Sequence, residues 1–242
     1  MALKFVFFFS PSKFAKNHED FLSNQISKIH IGKTHTKFCK CVLDVRAKSS
    51  VDAVRGELGS YSILYNILLN MIKFWLHLVK NNDQSSILTD AFSLYNQTTN
   101  LNSESWVGCI KDIFKCLNLQ FIYNNISTLK EIYVLKKVKQ NLKEKIQTIW
   151  KNKLFNDERK NIEHKNKLRT YRKFKNIFHL EPYLLYLNKE ERHTRTQFRI
   201  SSHRLEVERG HYFGLKFESR ICKLCNGHVE DEEHFMISCK KT

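Results

Sequence analysis

The sequence is poor in the residues that break or bend secondary structure, with 2 Pro and 7 Gly among 242 residues. Collagen-like chains and low-complexity linkers contain far more of both, so the scarcity excludes these classes. Acidic residues are also few, because 24 Asp and Glu stand against 41 Lys and Arg, and the formal net charge is +17. This excess favours a polyanionic partner, nucleic acid first of all, with solubility alone as the alternative explanation.

The sequence also lacks a run suited to crossing a membrane or directing export. Its most apolar stretch, residues 62–79, carries polar side chains from Asn66 to His77 at spacings of 4, 3 and 4, which predicts an amphipathic helix. The apolar run at residues 5–9 is shorter than the ~7–15 residues of a secretory signal. The seven cysteines are an odd number, which argues against a disulfide framework. These features predict an intracellular protein, of the nucleus or cytoplasm, with no membrane partner.

Hydrophobic residues make up 42% of the chain and aromatic residues 12%, enough to bury a core. Their spacing is mostly helical, and Ser or Thr caps precede several helix candidates. We expect a short helix from residue 37 and longer helices at about 60–80, 87–97, 104–118, 128–155 and 188–209. The predicted fold is an all-α helical array that ends in a small metal-binding knuckle. We divide the chain into an N-terminal region without a clear pattern (1–35), a helical region (36–180) and a basic helix with the knuckle (181–242).

Positive charge is concentrated in two places. Residues 130–175 contain 16 Lys or Arg against five acids, and a later stripe of arginines has helical spacings of 3 and 4. Guanidinium groups bind two phosphate oxygens at once, which suits contact with a nucleic-acid backbone. The candidate phosphate contacts are Arg169, Arg172, Lys173, Arg192, Arg195 and Arg199. The alternative is that both features are solvated faces, with the arginines paired to neighbouring glutamates.

The strongest pattern is a group of potential metal ligands near the C-terminus. Cys222 and Cys225 form a Cys-x-x-Cys motif, His234 follows after eight residues, and Cys239 follows after four more. A Cys-x-x-Cys motif can place both thiolates on one ion, and a histidine and a third cysteine complete a tetrahedral Zn²⁺ site. Four protein ligands leave no position for an activated water, so the predicted zinc is structural. His228 is an alternative ligand in place of His234.

A second group of cysteines and histidines lies in the N-terminal part of the chain. His30, His35, Cys39 and Cys41 combine a Cys-x-Cys pair with widely spaced histidines, which matches no common zinc-site spacing. We therefore interpret them as free thiols and partly buried imidazoles.

Three blocks resemble the C-terminal region of reverse transcriptases from non-LTR retrotransposons of invertebrate type. Lys167–Lys175 resembles the family pattern KLRTY-x-x-FK, and Phe198–Tyr212 resembles FRxSxHxLxIExGRY, with a histidine at 211 in place of the usual arginine. Arg220–Cys239 resembles the terminal zinc-binding signature of the family. Upstream, Gly56–Gly59 and neighbouring patches resemble the connection that follows the polymerase.

The resemblance implies an RNA-directed DNA polymerase as the parent protein, a nucleic-acid partner with RNA favoured over DNA, and contact with the polymerase part of that parent. The sequence has no adjacent Asp-Asp pair, which the two-metal polymerase site requires, and no endonuclease part. We therefore expect a zinc-stabilised, nucleic-acid-binding fragment that is not an enzyme. The alternatives are a zinc-stabilised protein-interaction module and a degenerate retroelement-derived gene without function.

Overall fold

The computed structural model describes residues 30–81, 87–98, 105–155 and 168–241, and α-helix is the main secondary structure of these ranges. Their α-helices are α1 His30–Val42, α2 Val51–Leu58, α3 Ile63–Lys80, α4 Ile87–Thr98, α5 Trp106–Cys116, α6 Gln120–Asn124, α7 Glu131–Phe155, α8 Arg169–Phe174, α9 Tyr183–Tyr186, α10 Lys189–Arg199 and α11 Glu206–Tyr212. A 3-10 turn (Phe217–Ser219) and a π-helical turn (His234–Ser238) follow. The described residues contain no β-strand, only two isolated antiparallel bridges. The predicted all-α class is therefore confirmed. Most of the predicted N-terminal region, residues 1–29, lies outside the described residues.

The chain forms two compact units. Among the described residues, the first unit comprises 30–33 and 61–149, and the second comprises 34–60 and 150–241. The predicted division at 180/181 does not coincide with either unit, because α2 packs against residues far along the chain. Gly56 makes this possible, since a Cβ there would lie 2.8 Å from the Trp150 ring and 2.5 Å from the Tyr171 hydroxyl.

The first unit has a core built around α3. Leu64, Leu68, Ile72 and Leu76 are buried at intervals of four residues, while the polar side chains of the same helix are exposed, as the spacing predicts. Trp75 stacks on an aromatic ring of α6 at 5.3 Å between centroids. Over the described ranges, no single helix is both long enough and apolar enough to cross a membrane, and only α2 and α3, taken together as a bent pair, meet both criteria.

The sequence predicts an apolar face of α7 made of Ile132, Leu135, Val138, Leu142, Ile146 and Ile149. Most of this face meets the core, since Val138 and Leu142 are fully buried and Leu135 and Ile146 pack against the core. The first member is the exception, because Ile132 is 82% exposed and Val134 is fully buried in its place.

The sequence also predicts a capping box between Thr128 and Glu131 at the start of α7. The helix starts three residues after Thr128, too far for Thr128 to be its N-cap, and the Thr128 hydroxyl donates to the Asn125 carbonyl at 2.9 Å. The helix begins at Glu131, close to the predicted start.

The helix predicted at 188–209 is two helices in the second unit. Helix α10 starts with a capping box between Asn188 and Glu191 and ends at Arg199. Ser201 has a positive φ of 52°, which turns the chain out of the helix, and α11 begins at Glu206. The sequence spacing extends the stripe of Arg192, Arg195 and Arg199 to His203, but His203 lies in the connecting turn and is buried there.

Candidate metal centre

The Cys-x-x-Cys motif lies in a tight turn that folds back on itself. The Cys222 backbone N–H donates to the His228 carbonyl at 2.8 Å, and the Asn226 N–H donates to the Cys222 carbonyl at 2.8 Å. Asn226 has a φ of 54°, a left-handed conformation that asparagine tolerates better than most residues. This turn brings the thiols of Cys222 and Cys225 towards one point.

The other two ligand candidates come from the π-helical turn. His234 is its first residue, and its backbone N–H donates to the Asp231 carboxylate at 2.7 Å. Cys239 follows the turn, and its N–H donates to the His234 carbonyl at 2.7 Å. The short helix therefore fixes His234 and Cys239 relative to each other.

The four side chains converge as the sequence predicted. The Sγ atoms of Cys222 and Cys239 are 3.9 Å apart, and Cys225 Sγ lies 3.2 Å from His234 Nε2. All four ligand atoms lie within 4.8 Å of one another. Ligands around a tetrahedral ion with metal–sulfur bonds of about 2.3 Å are separated by about 3.7 Å, so the group can hold one metal ion. His228 is exposed and is not a member of the group.

The cysteines of the group differ in how readily they lose a proton. The pKa of the Cys225 thiol is lowered to about 6, chiefly by a backbone hydrogen bond from Gly227 and with a smaller contribution from the His234 side chain. Burial raises the pKa of the Cys222 thiol. Because thiolates are the metal-binding form, Cys225 is ready to bind at neutral pH, whereas Cys222 gives up its proton when the metal binds.

The second group of cysteines and histidines, in α1, agrees with its prediction in part. Cys39 and Cys41 are free cysteines and His35 is half-buried, with its Nε2 3.8 Å from Cys39 Sγ, but His30 is exposed. Of the residues that the structure describes, only the Cys222–Cys239 group has the arrangement of a metal site.

Glu232 connects the segment that carries the four ligands, residues 222–239, which we call the metal loop, to the rest of the second unit. Its buried carboxylate accepts hydrogen bonds from His203 Nε2 at 2.8 Å, Ser201 Oγ at 3.1 Å and Thr170 Oγ1 at 3.1 Å, and it pairs with Arg169. Burial alone would raise the pKa of Glu232, but the His203 hydrogen bond and the Arg169 charge bring it down to about 2. The carboxylate is thus an anion that joins α8, the turn after α10 and the metal loop.

We expect Glu232→Gln to lower the free energy of unfolding of the second unit by about 2 kcal/mol, because hydrogen bonds to a charged group are the strong ones. Denaturant titration of metal-loaded protein measures the change. Glu233→Gln is the matched control, since Glu233 is exposed and pairs only with the exposed Lys173 at 3.0 Å. Equal values for the two variants would show that Glu232 does not join these elements.

The structure places the predicted phosphate contacts in different surroundings. The side chain of Arg199 is largely buried. It pairs with the fully buried Glu57 through Nε at 2.8 Å and Nη2 at 3.0 Å, and it also pairs with Glu181 at 2.9 Å. Arg169 pairs with Glu232 and, at 3.7 Å, with Glu208. These two guanidinium groups hold the second unit together.

The remaining candidates are more accessible. Arg195 is exposed beside the Tyr183 ring, 5.0 Å from its centroid. Arg192 is half-buried and donates to the Leu184 carbonyl at 3.2 Å, Arg172 is half-buried, and Lys173 is exposed beside Glu233. The sequence analysis did not identify the role of Glu57, and the only signal was its position between Gly56 and Gly59 at the end of a short helix.

Comparison of the chain with models of known protein families, with curated proteins and with solved structures gives no match. The resemblance to retrotransposon reverse transcriptases therefore stays a prediction that depends on the three sequence blocks alone. What the structure supplies is an all-α fold with a Cys3His group that can bind a metal ion.

Proposed function

We propose that this protein is an intracellular nucleic-acid-binding module whose second unit is stabilised by a structural zinc ion, as the resemblance to the tail of a retroelement reverse transcriptase implies. The observation that carries the proposal is the convergence of Cys222, Cys225, His234 and Cys239 on one point. The module has no polymerase chemistry of its own, and the polymerase of a parent element is a partner.

The donor set favours zinc over other ions. Three thiolates and one imidazole form a soft, four-coordinate set, which suits Zn²⁺ and is unsuited to Mg²⁺ or Ca²⁺, since both prefer oxygen ligands. Four protein ligands fill a tetrahedral shell. The ion would therefore hold the loop and the π-helical turn together and would not activate water.

Exposed positive charge supports nucleic-acid binding. On α7, Lys136 and Lys139 are exposed and Lys143 is half-exposed, and these residues recur at helical spacings of 3 and 4 on one face. On α10, Arg192 and Arg195 lie one turn apart. Such groups attract a phosphate backbone without reading its sequence, so each of these two sets can contact RNA or DNA. The family resemblance favours RNA.

We expect labelled single-stranded RNA to bind with an affinity that falls as salt rises, with a logarithmic slope of about −0.7 for each phosphate neutralised. Changing Lys136, Lys139 and Lys143 together to Ala, or Arg192 and Arg195 together to Ala, should reduce the steepness of that slope by about one to three phosphates. Fluorescence anisotropy across a salt series measures both quantities.

The three lysines changed to Arg form the control for charge, because the positive charge and the helix are both kept. Arg199 is left unchanged in this test, because its replacement is expected to lower the free energy of unfolding of the second unit. RNA binding that does not respond to salt, or no RNA binding at all, would contradict the proposal and favour the zinc-stabilised protein-interaction module.

A further inference from the structure

Two adjacent aromatic rings are exposed at the end of α11. Tyr212 is 70% exposed and Phe213 is 66% exposed, and their ring centroids lie 5.3 Å apart in an edge-to-face arrangement. Lys48 Nζ lies 4.7 Å from the Tyr212 centroid. Leu215 and Lys216 continue the exposed segment. We call Tyr212 and Phe213 the aromatic platform.

The segment that carries the platform is held in one conformation. Gly214 has a φ of 72°, and the Leu215 N–H donates to the Gly210 carbonyl at 2.8 Å, which ends the helix tightly. The buried Arg220 donates to the Leu215 carbonyl through Nε at 3.1 Å and Nη2 at 2.8 Å, and to the Val207 carbonyl through Nη1 at 2.9 Å. A Cβ on Gly210 would lie 2.5 Å from Arg220 Cγ, so this glycine allows the close packing.

Burial of the Arg220 guanidinium costs desolvation free energy, which its three hydrogen bonds to backbone carbonyls offset. These hydrogen bonds order the backbone that carries Tyr212 and Phe213 before a partner binds. A partner therefore does not have to order this turn when it binds, which increases affinity.

The exposed charged side chains around the platform are mostly positive. Lys48, Arg209 and Lys216 are exposed, and Glu218 is an exposed acid beside them. The two other nearby acids are half-buried and paired: Glu206 with Arg209 at 3.4 Å, and Glu208 with Arg169 at 3.7 Å. Exposed aromatic rings among basic side chains fit a polyanion with flat bases better than they fit an apolar protein surface.

We infer that the aromatic platform stacks bases of single-stranded RNA while the neighbouring basic groups contact its phosphates. This inference rests on the proposed nucleic-acid function and adds to it the residues that touch bases. Every base has a π-face, so stacking of this kind tolerates any sequence but requires bases that are not paired.

The test compares labelled single-stranded RNA with the same strand in a duplex, using zinc-loaded protein. Tyr212→Ala/Phe213→Ala should weaken single-strand binding by about tenfold or more, because stacking on an aromatic side chain contributes strongly to each base bound. The salt slope should stay unchanged, since no phosphate contact is removed. Duplex binding should change less than twofold, or roughly within measurement error, because paired bases do not reach the platform.

The matched control is Tyr186→Ala, an exposed tyrosine of the same unit at 80% exposure on α9. Tyr212→Phe/Phe213→Tyr keeps both rings and should keep the affinity. Ultraviolet crosslinking to RNA, with mass spectrometry of the peptides, should mark Tyr212 or Phe213 in the unmodified protein and so gives a readout that does not depend on the variant folding.

The outcomes separate the two proposals. If the unmodified protein binds no RNA, both the nucleic-acid function and the platform are overturned. If it binds RNA with the expected salt slope, but the double alanine variant binds equally well and no crosslink falls on the platform, only the platform is overturned. A tenfold loss confined to single strands supports both.

Discussion

Changing Cys225 to Ser is expected to release one zinc ion per chain and to unfold the second unit, while the first unit keeps its helices. Structural zinc sites contribute about 10–16 kcal/mol of apparent binding free energy in small zinc-binding peptides, comparable with or larger than the whole stability of a typical domain. The effect should extend beyond the metal loop, because Glu232 joins that loop to α8 and to the turn after α10.

Metal analysis of purified protein measures the first part of this prediction, with one zinc for the unmodified chain and none for the variant. Hydrogen exchange measures the second, since amides of 34–60 and 168–241 should lose protection while those of α3 and α5 retain it. Cys41→Ser is the control, because Cys41 is an exposed free cysteine outside the site. Unmodified protein without zinc, or a variant that keeps its protection in the second unit, would contradict the prediction.

Replacing Arg199 with Ala is expected to lower the free energy of unfolding of the second unit by about 3–5 kcal/mol, because the change leaves a buried carboxylate without its cation. Glu57 is fully buried, and the hydroxyl donors that remain to it, such as that of Tyr183 at 2.7 Å, carry no positive charge. The lost guanidinium also packs on the Phe174 ring at 4.3 Å. The pKa of Arg199 is raised because the hydrogen bonds and charge of Glu57 outweigh the effect of burial.

Denaturant titration of zinc-loaded protein measures the loss, and Arg195→Ala is the matched control on the same helix. Arg195 is exposed, so its replacement should change stability by less than about 0.5 kcal/mol. The double change Glu57→Leu/Arg199→Met should recover part of the loss, since it removes both charges together. A small effect of Arg199→Ala would return this arginine to the set of candidate phosphate contacts.

The helices and the metal group were predictable because each depends on residues that are close in the sequence. The four-residue interval of buried aliphatic residues in α3 is visible in the sequence, and so is the spacing of the four metal ligands. The starting residues of α3, α4 and α7 were predicted to within a few positions. Local spacing was sufficient for these features.

The interior of the second unit was not predictable, because it depends on partners that are far apart. Glu57 and Arg199 are separated by 142 residues, and nothing near either residue indicates the other. The arginine spacing on α10 predicted a shared face, but a periodic pattern does not show which members of the face meet a buried acid. The predicted burial of Ile132 was wrong for a related reason. Val134 lies on an alternative apolar face of the same helix, and only the packing of the core determines which of the two is buried.

The second unit is discontinuous in sequence, and this has a consequence for how the chain folds during synthesis. Residues 34–60 leave the ribosome before the whole of 61–149, yet their partners come only with 150–241. The core of the first unit lies within one continuous stretch, so this unit can fold early. The apolar side chains of α2 stay exposed until residues 150–241 have been synthesised. Long-range contacts of this kind slow folding, so the second unit should fold last and depend most on chaperones.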